Sequence, residues 1–470
     1  MIKSSEITET QFTRVNDLVD DLVGTEVILR ARVHTVRGKG KTAFIVLRQR
    51  TCTVQGVLFV DEKTVSKGMI KYVTSLEKES IVDVVGKVTA PEVPVESCTQ
   101  KSVELKILSI HAISRALPRL PLQLEDASRP EPADGEETDM ASVGQATRLD
   151  NRVLDLRTPA NQAIFKCQSQ VCHFFRDSLL SQGFVEIHTP KMIAGASEGG
   201  ASVFRLDYIG RPACLAQSPQ LYKQMAICAD FEKVFEIGPV FRAEKSFTHR
   251  HLTEFTGLDF EMAIKEHYFE VLDVIEDFFH KIFDGLNETC KDELQTINEQ
   301  YPFEPLLYPK PTLRITFAEG CALLKEAGYD VDPLEDIGTE EEKALGRLVR
   351  AKYKTDFYVM HRYPINARPF YTMLAPDDPN ITNSYDVFIR GEEIISGAQR
   401  IHDPEYLERR AVECGIDPET IRAYIESFSY GAPPHGGCGI GLERVVMLFL
   451  GLNNIRKTSM FPRDPQRLTP

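Results

Sequence analysis

Gly436-Gly-Cys-Gly-Ile-Gly-Leu-Glu-Arg444, followed by the apolar run Val445-Val-Met-Leu-Phe-Leu450, admits two folds. A dinucleotide-binding loop would open a doubly wound domain, which needs a further strand carrying an acid ~20 residues on. The chain reaches Pro470 with no such unit. What remains is a glycine-rich turn that lets backbone approach a partner closely, and a helix start that favours an anion. Arg444 stands in the first turn of that helix.

Working back from this segment, residues 148–470 alternate short strands and helices, too separated for repeated βαβ units. They read as one α+β domain. Asn161 to Gln182 predicts an amphipathic helix, with Ile164, Val171, Phe174, Phe175 and Leu179 on or near one face and Gly183 at its end.

Residues 25–115 read differently. Glu26–Val33, Ala43–Arg48, Thr53–Val60, Ile81–Val88 and Val103–Leu108 predict five strands, with a helix over Ser66–Lys78. Three strands, a helix and two strands fit an OB-fold barrel, a frequent platform for single-stranded nucleic acid. Residues 116–147, rich in Pro, Asp and Glu, read as a linker, and residues 1–24 as a flexible arm. The fold class is therefore multi-domain, an all-β barrel followed by an α+β domain. Gly38-Lys-Gly-Lys-Thr42 is not a P-loop: it lacks the first glycine and lies between strands.

A net charge of −14 argues against general polyanion binding. Yet Arg30 to Arg50 holds seven Lys/Arg and no acid, which suits local contact with a phosphate backbone. Ten cysteines without a CxxC pair read as reduced thiols, and no HExxH marks a zinc site. No apolar run approaches a membrane span and no secretory leader is apparent, so a cytoplasmic protein without a membrane partner is expected.

Three segments carry a resemblance. Gly183-Phe-Val-Glu-Ile-His-Thr-Pro190, Phe241-Arg-Ala-Glu244 with Phe255 beyond it, and Gly437 to Arg444 resemble motifs 1, 2 and 3 of the class II aminoacyl-tRNA synthetases. Arg148-Leu-Asp-Asn-Arg-Val-Leu-Asp-Leu-Arg157 is similar to the domain entry of subclass IIb. Ser197-Glu-Gly-Gly200, Gln217-Ser-Pro-Gln-Leu-Tyr-Lys-Gln224 and Gly397-Ala-Gln-Arg400 narrow the match to the aspartyl enzymes. The stretch between motifs 2 and 3 is too short for the extra domain typical of bacterial aspartyl enzymes, so the chain resembles the eukaryotic and archaeal type. Its N-terminal arm departs from many eukaryotic relatives in lacking a lysine-rich helix.

The resemblance implies an antiparallel sheet flanked by helices and ligation of L-aspartate to tRNA-Asp, with ATP as substrate and Mg2+ as cofactor. It implies catalytic roles for Arg242 on the α-phosphate and Arg444 on the γ-phosphate. Glu244, Arg250, His251, Leu252, Phe255, Glu393, Gly441, Leu442 and Glu443 complete the ATP site. Asp386 and Glu393, on strands either side of a turn at Arg390-Gly391, are the metal ligands. Glu198, Gln220, Lys223, Asp259, Ser396 and Arg400 are the aspartate site, with Lys223 and Arg400 as its cations and Glu198 on a lid. Phe44, Gln55, Glu104 and Arg37 would meet the anticodon. Motif 1, with Pro190, implies a homodimer. Asparaginyl or lysyl enzymes, a non-catalytic tRNA-binding paralogue and an ammonia-using asparagine synthetase are the alternatives. The cationic pair, the intact motif residues and the barrel speak against them in turn.

Overall fold

The computed structural model describes residues 10–61, 63–130, 141–194 and 203–470. They divide into two compact units, one running to Arg129 and resuming through Gln162, the other from Ala163 to Pro470.

In the first unit, β1 (Glu26–Lys39), β2 (Thr42–Gln49), β3 (Cys52–Phe59), β4 (Ile81–Thr89) and β5 (Glu104–Ser114) close a barrel in the order β1-β2-β3-β5-β4. Helix α1 (Lys67–Thr74) stands between β3 and β4, and the Ser66 side chain caps it by accepting from the Met69 N–H. Alternating residues fill the barrel: Val27, Leu29, Ala31 and Val33 of β1 are all buried. The Gly38–Thr42 segment is the β1–β2 hairpin, as its position between strands required.

Two expectations change here. The arm is not free throughout, because Val15 and Leu18 are buried in the barrel core and the Thr13 N–H bonds the Ile28 carbonyl. Residues 148–162 pack with the first unit rather than the second. Buried Arg148 and Arg152 share Asp155, and Arg157 pairs with Glu79. Short helices α2 (Leu124–Ala127), α3 (Gln145–Asp150) and α4 (Arg152–Asp155) belong to this stretch, so the expected linker carries a buried turn at Leu124 and Ala127.

Helix α5 (Pro159–Ser181), whose residues from Ala163 onward belong to the second unit, leads to β6 (Val185–Glu186). A small sheet of β7 (Met192–Ile193), β8 (Arg205–Asp207) and β9 (Pro212–Leu215) follows, then α6 (Gln220–Cys228). Next come β10 (Lys233–Phe241), β11 (Glu254–Ala263), α7 (Phe269–Thr289), α8 (Lys291–Gln300), β12 (Leu313–Thr316), α9 (Phe317–Glu326), α10 (Thr339–Tyr353) and β13 (Phe357–His361). The hairpin of β14 (Leu374–Ala375) and β15 (Asp378–Thr382) precedes β16 (Ser384–Ile389) and β17 (Glu392–Gln399). Helices α11 (Pro404–Glu413) and α12 (Arg422–Phe428), β18 (His435–Gly441) and α13 (Leu442–Phe449) complete the unit.

Eight strands form one sheet, β12-β13-β16-β17-β18-β11-β10-β6, antiparallel through its centre and parallel at both edges. Phe175 of α5 and Phe278 of α7 meet edge to face, and Phe278 packs on Phe260 of β11, so the long helices cover one side of the sheet. No helix among the described residues is long and apolar enough to cross a membrane.

The glycine-rich segment is a correction. It forms strand β18 in the middle of the sheet, not a turn. Its glycines answer to their neighbours: Gly437 lies opposite Glu261 and Gly439 opposite Asp259. A Cβ at Gly437 would overlap the Phe260 carbonyl and a Glu261 carboxylate oxygen. The expected helix start survives, since Gly441 is the N-cap of α13.

Candidate active site

The bare surface of β18 is the floor of a cavity of about 420 Å³ within the second unit. Cross-strand register sets Asp386, Ser396, Gly439 and Asp259 in one row across β16, β17, β18 and β11. Side chains in register on neighbouring strands share a face, so the row presents two acids and a hydroxyl around a glycine gap.

At one end of the floor lies a buried charge cluster. Lys223 of α6 is fully buried, and its Nζ donates to Asp259 Oδ1 at 3.0 Å and to the Cys438 carbonyl at 3.0 Å. Arg400 donates through Nε to Glu261 Oε1 at 2.9 Å and through Nη2 to Gln220 Oε1 at 3.2 Å and the Gly437 carbonyl at 2.7 Å. Burial works to raise the Glu261 pKa, but Arg400 and Lys223 together hold it below the usual carboxylate range. Two cations and two carboxylates balance here, and each is held by hydrogen bonds within the cluster. Arg400, Gln220 and Asp259 line the cavity, whereas Lys223 supports Asp259 from beneath.

At the other end are the motif 2 and motif 3 residues. Arg242 follows the last residue of β10, and its guanidinium lies 5.5 Å from the centre of the Phe255 ring. Glu244 is 4.0 Å from Arg242. Glu443 accepts from the Thr256 N–H with both oxygens, at 3.0 and 3.1 Å, and so ties the first turn of α13 to the residue beside Phe255. Burial pushes the Glu443 carboxyl up to about 7. Arg444 donates to the Glu393 carbonyl at 2.9 Å and the Arg250 carbonyl at 3.2 Å. Burial lowers its pKa, opposed by Glu393. Burial also lowers His251, with Arg444 adding to the effect. Arg242, Glu244, Arg250, His251, Leu252, Phe255, Gly441, Glu443 and Arg444 all line the cavity, while Leu442 is in the core.

Asp386 and Glu393 line the same cavity from the β16–β17 hairpin. Arg390 (φ +52°) and Gly391 (φ +78°) make its turn, and a bulge after Val387 offsets the register. Burial, then the Asp386 charge, push Glu393 up to about 7. Ser396 Oγ accepts from Arg368 Nη1 at 2.8 Å.

Three residues escaped the sequence reading. Arg368 grips Asp386 at 2.7 and 2.8 Å, and nothing in its neighbourhood of sequence announces that partner. Glu342 of α10 holds Arg250 at 2.8 Å from 92 positions away. Glu261 had a signal: it follows Asp259 by two on a strand, so both acids face the same way. Glu198, with the Ser197–Gly200 segment, lies outside the described residues.

The barrel carries the four remaining candidates. Phe44 is 40% exposed on β2 and meets Phe59 edge to face at 6.2 Å. Gln55 of β3 donates to Glu104 Oε2 of β5 at 3.0 Å, across paired strands. Arg37 is exposed near the end of β1. Of the seven basic residues, Arg30 is paired with Asp83, and Arg32 and Arg48 with Glu79, leaving Arg37, Lys39, Lys41 and Arg50 at the surface.

Comparison with known proteins agrees with this geometry. The family described as tRNA synthetases class II (D, K and N) matches residues 144–465, and the OB-fold nucleic acid binding domain matches residues 27–113. "Aspartate--tRNA ligase 2, cytoplasmic" of Arabidopsis thaliana is 59% identical, over 98% of this chain and 83% of its own. A crystal structure of a putative aspartyl-tRNA synthetase from Leishmania major Friedlin is 47% identical with a TM-score of 0.94, covering 100% of this chain and 97% of that one. The asparaginyl-tRNA synthetase of Pyrococcus horikoshii, solved with asparaginyl-adenylate, is 30% identical with a TM-score of 0.85, covering 99% and 100%. The chain belongs to the class II tRNA synthetases of the aspartyl, lysyl and asparaginyl group, and within it to the cytoplasmic aspartate–tRNA ligases.

Proposed function

We propose that this aspartate–tRNA ligase activates L-aspartate with ATP in the β18-floored cavity and passes the aspartyl group to tRNA-Asp read by the barrel. The observation that carries the aspartate assignment is Arg400. Its hydrogen bonds run through Nε and Nη2, which leaves Nη1 as a donor for a ligand carboxylate. An asparagine side chain in the same place offers Nη1 a neutral amide oxygen, a weaker partner for a guanidinium than a carboxylate. Asp259 and Gln220 receive the substrate ammonium, and Lys223 acts on the ligand through Asp259.

The aspartate α-carboxylate, already ionised, attacks the α-phosphorus; pyrophosphate leaves and the aspartyl-adenylate forms. No general base is needed, so the residues work by position and charge. Arg242 bridges the substrate carboxylate and α-phosphate with its planar fork. Phe255 stacks on adenine and Glu244 accepts from its amino group. Arg250 and His251 meet phosphate, and Arg444 holds the γ-phosphate at the start of α13. A ribose hydroxyl of the tRNA 3′ end then attacks the acyl carbon and expels AMP.

Magnesium fits Asp386 and Glu393. Burial, then the neighbouring Asp386 charge, raise the proton affinity of Glu393, which a cation at this position would offset. Two hard oxygen donors suit an ion whose shell is completed by phosphate and water. Among the described residues no group of three or more His, Cys, Asp or Glu could hold a metal alone, consistent with binding alongside the nucleotide. When bound, the ion neutralises charge on the phosphates.

On the barrel, Phe44 offers a stacking face and the Gln55–Glu104 pair a fixed set of donors and acceptors for a base edge. Exposed Leu180, Val185 and Met192 flank Pro190, and Glu236 fixes this segment through Thr189 and Lys191, which suits a C2 interface. Calorimetry with non-hydrolysable aspartyl- and asparaginyl-adenylate analogues tests the assignment. The aspartyl analogue is expected to bind at least ~100-fold tighter; equal affinities would refute it.

A further inference from the structure

Arg368 follows a 3-10 turn over Ile365–Ala367 and precedes Pro369. Its side chain is 6% exposed, yet the residue borders the cavity. Nη1 and Nη2 donate to the two oxygens of Asp386 at 2.8 and 2.7 Å. Nη1 also donates to Ser396 Oγ at 2.8 Å. The Tyr363 ring lies 3.8 Å from the guanidinium carbon. An aromatic face and three bonds fix the fork in one plane and one direction. Both oxygens of Asp386 are therefore committed to a cation that belongs to the protein.

We propose that Arg368 is the resident counter-ion of Asp386, so that a divalent cation enters with the nucleotide and not ahead of it. The proposal rests on Asp386 and Glu393 being the carboxylate pair for that ion. A dication approaching Asp386 meets a fixed guanidinium already bonded to the same oxygens. Like charges at that separation repel, the more so because the Arg368 and Asp386 side chains are themselves largely buried. A triphosphate changes the balance, because its negative charges can pair with Arg368 and the ion together. By linkage, nucleotide then tightens cation binding and the cation tightens nucleotide binding by the same factor. Arg368 is thus a positioning residue that acts through Asp386. Arg250, which lines the same cavity, is likewise paired with a protein carboxylate, that of Glu342.

The test is Mn2+ binding to the full chain, followed by the paramagnetic resonance signal of free Mn2+, with and without a non-hydrolysable ATP analogue, after the Mn2+ held by the analogue alone has been subtracted. The native chain is expected to bind Mn2+ weakly alone and at least tenfold more tightly with the analogue. Arg368→Gln is expected to bind Mn2+ at least tenfold more tightly than the native chain when no nucleotide is present. Arg368→Lys keeps one charge without the fork and is expected between the two. Variants that bind no more tightly than the native chain without nucleotide overturn the proposal. Asp386→Asn is expected to abolish the binding seen without nucleotide; if it binds like the native chain, the carboxylate pair is not the site, and that reading falls together with the proposal.

Discussion

The floor of the cavity and the outer face of the barrel, the two surfaces to which recognition is assigned in the proposed function, are built in opposite ways. Around Arg400 every charge is buried and already paired: Arg400 with Glu261, Lys223 with Asp259. On the barrel, Phe44 is exposed and Gln55 leans on Glu104 at a half-buried edge. A buried, balanced network costs much to disturb, because removing one partner strands the other away from water. An exposed ring can be removed with little cost to the fold. On the proposed assignment, chemistry and substrate choice share residues with stability, whereas the reading of tRNA is nearly separable from both.

The largest effect is expected for Arg400→Ala. It leaves buried Glu261 with only Lys223, 3.6 Å away, as a cation, so stability should fall by up to about 3–5 kcal/mol in chemical denaturation, and aspartate-dependent exchange should be lost. Full stability in this variant would break the contrast. Arg444→Ala should cut ATP–pyrophosphate exchange by about 10²–10³-fold or more. It removes bonds to two carbonyls and no ion pair, so its cost in stability should stay near ~1–3 kcal/mol.

A pH prediction sharpens the same point. Burial pushes His361, which bonds the Tyr268 hydroxyl at 2.8 Å, down to about 4 from an ordinary 6.5. The unfolded chain takes up the proton first as pH falls. Stability from this group is therefore complete above pH ~6.5 and is lost between about 6.5 and 4, by at most about 3 kcal/mol. His361→Gln should flatten that part of the unfolding profile; an unchanged slope would remove His361 from the account. Smallest for the fold is Phe44→Ala. It should leave exchange and melting unchanged and weaken tRNA charging by the ~1–3 kcal/mol of one stacked base.

The two regions also differed in how far the sequence disclosed them. Alternation in Glu26–Val33 and its partners was enough for the barrel, because one strand face is buried and period two betrays it. Arg242, Glu244, Phe255 and Arg444 were legible as motifs. The glycine run misled locally: it reads as a turn, but β18 is a strand whose missing side chains make room for Asp259 and Glu261. Arg368 and Glu342 were invisible because their partners are chosen by folding and not by spacing. Val15 and Leu18 were missed because two apolar residues in a polar arm carry no period.

The most direct test of the central claim is ATP–pyrophosphate exchange by the purified chain with aspartate, asparagine or lysine as the only amino acid. Exchange with aspartate, and little with the other two, is the predicted result; folded protein that exchanges with asparagine or lysine but not aspartate would contradict the account.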